Sequence, residues 1–195
     1  NSIEILKNKF GENSIHAARP TADLAVLFIN LGELDKAEIL LRKAINICES
    51  TLGQNHPEIA TLINNLGVIL YNKGYLDDAE PLFRHFIKIG QAKLGTNNPK
   101  VGATLNNLGL LLKDKGNLEE AKIHLIKALE ISESSLGPNH PQVATSLNSL
   151  GIILSKIDPE TAENYLRRAS KIAIESIGPE HPEFLTIQNN LAQII

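Results

Sequence analysis

Between residues 57 and 72, Ile59, Ile63, Leu66, Gly67 and Leu70 recur at spacings of three and four. That period places them on one stripe of an α-helix. Pro57 suits the first turn of such a helix, where its missing N–H would lack a partner anyway. Gly74 can end it by taking a left-handed conformation without a Cβ penalty. A second helix is expected from about Leu76 to Ala92, with Ala79, Leu82, Phe83, Phe86 and Ile87 on its apolar face. Small residues at Gly67 and Ala79 let the two helices approach closely.

The same pattern returns along the chain. Leu52–Gly53–Gln54–Asn55–His56–Pro57 is matched by Leu94–Gly95–Thr96–Asn97–Asn98–Pro99, by Leu136–Gly137–Pro138–Asn139–His140–Pro141 and by Ile177–Gly178–Pro179–Glu180–His181–Pro182. The steps are 42, 42 and 41 residues, and Phe10–Gly11 lies a further 42 upstream. Asn64–Asn65–Leu66–Gly67 is followed in register by Asn106–Asn107–Leu108–Gly109, Asn148–Ser149–Leu150–Gly151 and Asn189–Asn190–Leu191–Ala192. A third marker appears as Gly32, Leu34, Ala37, then Gly74, Leu76, Ala79, then Gly116, Leu118, Ala121. A fixed period of this length means a stack of helix pairs, each burying what its neighbours leave uncovered.

The combined pattern runs Leu–Gly–x–x–His–Pro–x–(Ile/Val)–Ala, Leu–x–Asn–Leu–Gly, Gly–x–Leu–x–x–Ala and Ala–(Leu/Ile)–x–Ile. It resembles the 42-residue tetratricopeptide repeats of kinesin light chains over nearly the whole chain. The resemblance implies an all-α fold, a right-handed α-solenoid of antiparallel helix pairs with A helices inside and B helices outside. Residues 1–9 then read as the tail of a preceding helix B, 10–50 as a first repeat, and 51–92, 93–134 and 135–176 as three more. Residues 177–195 read as helix A of a further repeat.

Three departures qualify the pattern. In the first repeat Arg19–Pro20 interrupts the helical residues, so its helix A is expected to begin late, near Pro20. That repeat also has Ser14–Ile15 where later loops carry His–Pro. In the fourth, one residue is missing and Asp158–Pro159 replaces the glycine turn, so a tightened turn is expected around Ile157–Glu160. The chain starts at Asn1 and stops after a helix A without its partner, so both ends are expected to be cut from a longer array.

Composition changes the picture only at its edges. Apolar residues make up 43% and aromatics 4%, with no Trp and no Met, so Leu, Ile, Val and Ala must build the core. Net charge is −3, which offers no basic excess for nucleic acid or anionic lipid. No apolar run approaches the roughly 18–20 residues of a membrane span. The single cysteine, Cys48, leaves no disulfide framework and favours a reducing, cytoplasmic setting. It reads as a small buried thiol, since no histidine stands at a catalytic spacing.

No constellation outside the repeat suggests an enzyme or a cofactor. His56, His140 and His181 occupy equivalent loop positions in different repeats. Helices pack about 8–10 Å apart, so these rings are carried away from one another and cannot share a metal with bonds of roughly 2 Å. Glycines occur singly, not as a phosphate loop. Glu38, Glu80, Glu119 and Glu120 fall among basic residues on helix B and read as a solvated outer face.

The asparagine series carries the functional expectation. Asn64, Asn106, Asn148 and Asn189 lie off the core stripe, toward the inner surface. An amide side chain can bridge the C=O and N–H of an extended peptide. In the families this chain resembles, such asparagines contact peptide backbone. The alternative is that they hydrogen-bond neighbouring helices and set repeat geometry. Asn65, Asn107 and Asn190 beside them are further candidates. The inner surface should also show Thr61, Val68, Tyr71 and Asn72, then Ala103, Leu110, Lys113 and Asp114, then Thr145, Ile152, Ser155 and Lys156. Only Lys113 and Lys156 could contribute to a clamp for a carboxylate, so a peptide with apolar anchors is favoured over a free C-terminus. The function expected is a scaffold binding a protein or extended peptide, with a structural spacer or self-association through the cut ends as the alternative.

Overall fold

The computed structural model describes residues 15–53 and 56–194. The expected helix-B tail at residues 1–9, Phe10–Gly11 and Ser14 lie outside them. Among the described residues there are nine α-helices and no strand. The chain divides into two compact units, residues 1–93 and 94–195.

The first unit holds α1 (Ile15–Asn30), α2 (Leu34–Leu52), α3 (Pro57–Asn72) and α4 (Leu76–Leu94). Helix α1 packs on α2, α2 on α3, and α1 also touches α3. Three-residue turns connect α1 to α2 and α3 to α4. At the second, the Gly74 N–H donates to the Tyr71 carbonyl and the Tyr75 N–H reaches back to Leu70. Gly74 sits at φ +81°, which a side chain would strain. Helix α1 starts at Ile15, earlier than the sequence suggested, and carries Pro20 within it. Proline removes only the bond to the carbonyl of His16, whose residue is exposed at the helix start, where the loss is tolerated. Pro81 stands at the same position of α4, with a similar small cost.

The second unit holds α5 (Pro99–Asp114), α6 (Leu118–Leu136), α7 (Pro141–Leu154), α8 (Pro159–Ser176) and α9 (Pro182–Ala192). Each packs on the next in order, and α5 touches α7 as α7 touches α9. Val143, Ala144 and Leu147 of α7, Ala169, Ile172 and Ala173 of α8, and Phe184 and Ile187 of α9 form one buried cluster. The missing residue shows itself between α7 and α8. Helix α7 has 14 residues where α5 has 16. The turn closes through Ile157 and Asp158 N–H groups that both donate to the Leu154 carbonyl, without a positive-φ residue. Asp158 then caps α8, its carboxylate accepting from Thr161 N at 3.1 Å. The Thr161 hydroxyl first, then that backbone bond, hold the Asp158 carboxyl below its usual range against an opposing effect of burial, with Lys122 adding to them.

The histidines of the loops are N-caps. Nδ1 of His56, His140 and His181 accepts from the backbone N–H two residues on, at 3.3, 3.1 and 3.2 Å, and Asn98 does the same with its side-chain oxygen at 3.0 Å. Each satisfies one donor that the helix start leaves over.

Helices of neighbouring pairs in the first unit are also tied by charge. Lys73, just past α3, donates to Asp35 at 2.6 Å and Glu38 at 2.7 Å on α2. The hydrogen bond from Lys73 is the main reason the Glu38 carboxyl sits below its ordinary value, against an opposing effect of burial and with help from Arg42. Asp35 and then Glu38 raise the Lys73 ammonium in turn. A depressed carboxyl stabilises the fold above the ordinary glutamate range, and the contribution is lost as pH falls through the depressed value. Replacing Lys73 with methionine should therefore move the Glu38 titration upward. A carboxyl-carbon NMR titration reads this directly, and an unmoved midpoint would show that Lys73 is not what holds Glu38 ionised.

Candidate functional site

In the first unit, α1 and α3 do not close on each other completely. They leave a cavity of about 450 Å³. Ala18, Ala22 and Val26, one turn apart on α1, form one wall. Glu58, Thr61, Leu62 and Asn65, at spacings of three and four on α3, form the other, and Cys48 of α2 lies at the base. Small side chains on α1 are what keep the gap open. Arg19 and Asp23 complete the rim. Ala18, Ala22, Leu62 and Cys48 are buried, whereas Val26 is 41% exposed. Burial, and secondarily the charge of Glu58, pushes the Cys48 thiol up, so it stays protonated and acts as an apolar surface.

Of the sequence candidates in this unit, Thr61 and Asn65 line the cavity. Asn64 and Val68 are half-buried on α3. Arg19, Asp23, Val26, Glu58 and Cys48 were not singled out from the sequence as parts of a site. Their shared helical spacing was legible, but which stripe of α1 opposes which stripe of α3 was not. A larger depression, about 550 Å³, lies along α2 beside Ile39, Arg42 and Asn46. Its described lining residues all belong to that one helix.

In the second unit a smaller cavity of about 200 Å³ lies between α7 and α9. Ile152, Ser155 and Lys156 face Asn190, Gln193 and Ile194 there, over Leu166 of α8. Lys113 is half-buried and pairs with its neighbour Asp114 at 2.9 Å. Leu110 and Asn107 are half-buried on α5.

The row of first asparagines is not an open row here. Asn106 is only 5% exposed, which corrects the expectation that it faces a surface. Asn148 is half-buried, and its Oδ1 accepts a 2.9 Å bond from Asn190 Nδ2, joining α7 to α9. Asn189, the residue aligned with Asn148, is exposed. The bond thus runs from the second asparagine of one repeat to the first asparagine of the repeat before. Applied one repeat earlier, the donor for Asn106 would stand at Ser149. That hydroxyl is too short and turns back to the Thr145 carbonyl at 2.9 Å. Asn106 Oδ1 accordingly has no hydrogen-bond partner among the described residues. In this unit the Asn148–Asn190 pair is an amide–amide hydrogen bond between two helices.

Among the described residues no group of His, Cys, Asp or Glu side chains is arranged to hold a metal ion. No described helix is long and apolar enough to cross a membrane.

Comparison with known proteins agrees with this architecture. Among solved structures, the crystal structure of BtubC (BKLC) from P. vanneervenii is similar, with a TM-score of 0.79 and 22% identity, over 99% of this chain and 77% of that one. A putative kinesin light chain of nearly identical TPR-like repeats from Podosopora anserina aligns with a TM-score of 0.71 and 23% identity, over 90% and 84% of the two chains. No curated protein matches. The family description "Tetratricopeptide repeat" matches three overlapping stretches, residues 16–92, 58–123 and 100–175. With its helix pairs stacked in order and that match spanning most of its length, the chain belongs to the tetratricopeptide repeat family.

Proposed function

We propose that this chain is a scaffold module that holds a peptide or partner protein against the surface its A helices leave open. Tetratricopeptide repeats are generally protein-interaction scaffolds and typically not enzymes. The observation that carries the reading is the cavity between α1 and α3, which has an apolar floor and polar groups at its rim. The partner is a protein rather than nucleic acid or lipid, because the net charge of −3 offers neither an electrostatic footprint. Asn65, Val68, Leu110, Lys113 and Lys156 remain the contact candidates, with Asn64, Asn107 and Asn148 contributing where their amides are accessible. The lone buried thiol suits a reducing, cytoplasmic setting.

Peptides selected on the chain from a random display library test this. Thr61→Trp fills the cavity from its exposed rim and should weaken the selected peptides about tenfold or more. Ile123→Ser, on the exposed back of α6, should leave them unchanged, with helix content by circular dichroism constant in both. Peptides indifferent to Thr61→Trp would remove the cavity from the function.

A second reading is self-association. Ile174 of α8 and Leu185 of α9 are 46% and 50% exposed in the second unit. Sedimentation across a concentration range decides it, and a strict monomer would exclude it.

A further inference from the structure

We propose that the cavity between α1 and α3 takes a basic side chain, a lysine or arginine with its aliphatic stem, from the bound partner. The inference rests on the reading above and adds the chemistry of what enters. The floor is neutral and apolar: Ala18, Ala22, Leu62 and the protonated thiol of Cys48. Methylene groups bury there without stranding a polar atom. The rim carries two carboxylates on opposite walls, Asp23 of α1 and Glu58 of α3, against one guanidinium, Arg19. All three residues are exposed, and none makes an ion pair with a described residue. The electrostatic field at the cavity mouth is therefore net negative, and Glu58 acts as far down as Cys48.

An entering cation gains a charge-assisted contact at the rim while its stem covers the floor. A purely aliphatic side chain would gain only the floor. An acidic one would meet two like charges for one opposite. The Thr61 hydroxyl and the Asn65 amide make no hydrogen bond with a described residue and stand on the same wall, available to the backbone on either side of the inserted side chain.

The test uses the full chain, nitrogen-15 labelled, titrated with capped alanine peptides bearing one central lysine, norleucine or glutamate. The lysine peptide should shift the amide signals of Ala22, Thr61 and Asn65. Norleucine, the uncharged isostere, should bind at the same amides about tenfold more weakly. The pair Asp23→Asn and Glu58→Gln should bring the lysine peptide down to the norleucine value. Both residues are exposed, so the double variant is expected to fold, and its unchanged amide spectrum elsewhere checks this. Equal binding of lysine and norleucine would overturn the charge inference and leave the groove intact. A preference for glutamate would show Arg19 in command and overturn it as well. If none of the three peptides moves these amides, the cavity fails as a binding site altogether.

Discussion

Phe83→Ala should destabilise the first unit by about 4 kcal/mol, while Phe83→Leu should cost only about 1 kcal/mol. Phe83 is fully buried on α4, and its ring edge lies against Gly67 of α3. A Cβ placed on Gly67 would come within 2.8 Å of the ring, so no slack exists on that side and the wall cannot collapse inward by much. Alanine would leave a cavity that the surroundings fill only partly, and the cost rises with the residual volume. Leucine is what the chain itself uses at this position. Leu41 of α2, Leu125 of α6 and Leu166 of α8 stand in the same register and are fully buried too. Because a stacked array draws its stability from neighbouring interfaces, the loss should be local. Urea unfolding gives the magnitude, and hydrogen exchange should show the α3 and α4 amides losing protection first. A uniform loss along the chain, or leucine as damaging as alanine, would contradict this account.

That register explains why the fold was legible from the sequence. Glycine at 67, 109 and 151, proline at 57, 99 and 141, and a large apolar residue sixteen or fifteen positions after each of those glycines each impose a local requirement, and they repeat in phase. Helix type, pairing and turn positions follow from such local rules. Pro20 misled, because a proline inside a helix can be tolerated near its start, and the rule that places helix beginnings at proline does not see the carbonyl it spares. The site was less legible. It depends on how one helix is rotated against the next. Asn106 and Asn148 occupy equivalent positions, yet Ser149 in place of an asparagine leaves the first without the donor that Asn190 gives the second. The cavity in the first unit needs Ala18 and Ala22 to be small and Glu58 to face Asp23, and nothing in the spacing of either helix alone says that they meet. The Lys73 contacts, spanning 35 and 38 residues, are hidden in the same way.

Gly109→Val should cost about 3 kcal/mol in the second unit. In an exposed helix, replacing glycine would be favourable, since glycine is among the poorest helix formers, by about 1 kcal/mol against alanine. Here packing decides the sign. A Cβ on Gly109 would lie 2.6 Å from Cγ and 2.7 Å from Cδ2 of Leu125, and 3.2 Å from the Ala121 carbonyl oxygen. Cγ is the branch point of a fully buried leucine, so it cannot swing away as a flexible tip would. The carbonyl belongs to the backbone of α6, so relief on that side means moving the helix. Trimming the neighbour should therefore rescue in part. Leu125→Ala alone leaves a cavity and should cost about 3 kcal/mol. Combined with Gly109→Val, the two should be less damaging than their sum, by about 1–2 kcal/mol, because the new methyl groups occupy the space the leucine vacates. The remaining cost reports the Ala121 contact, which no side-chain trimming removes. Strict additivity in a double-mutant cycle, measured by urea unfolding, would mean that Gly109 is not there to let α5 and α6 touch.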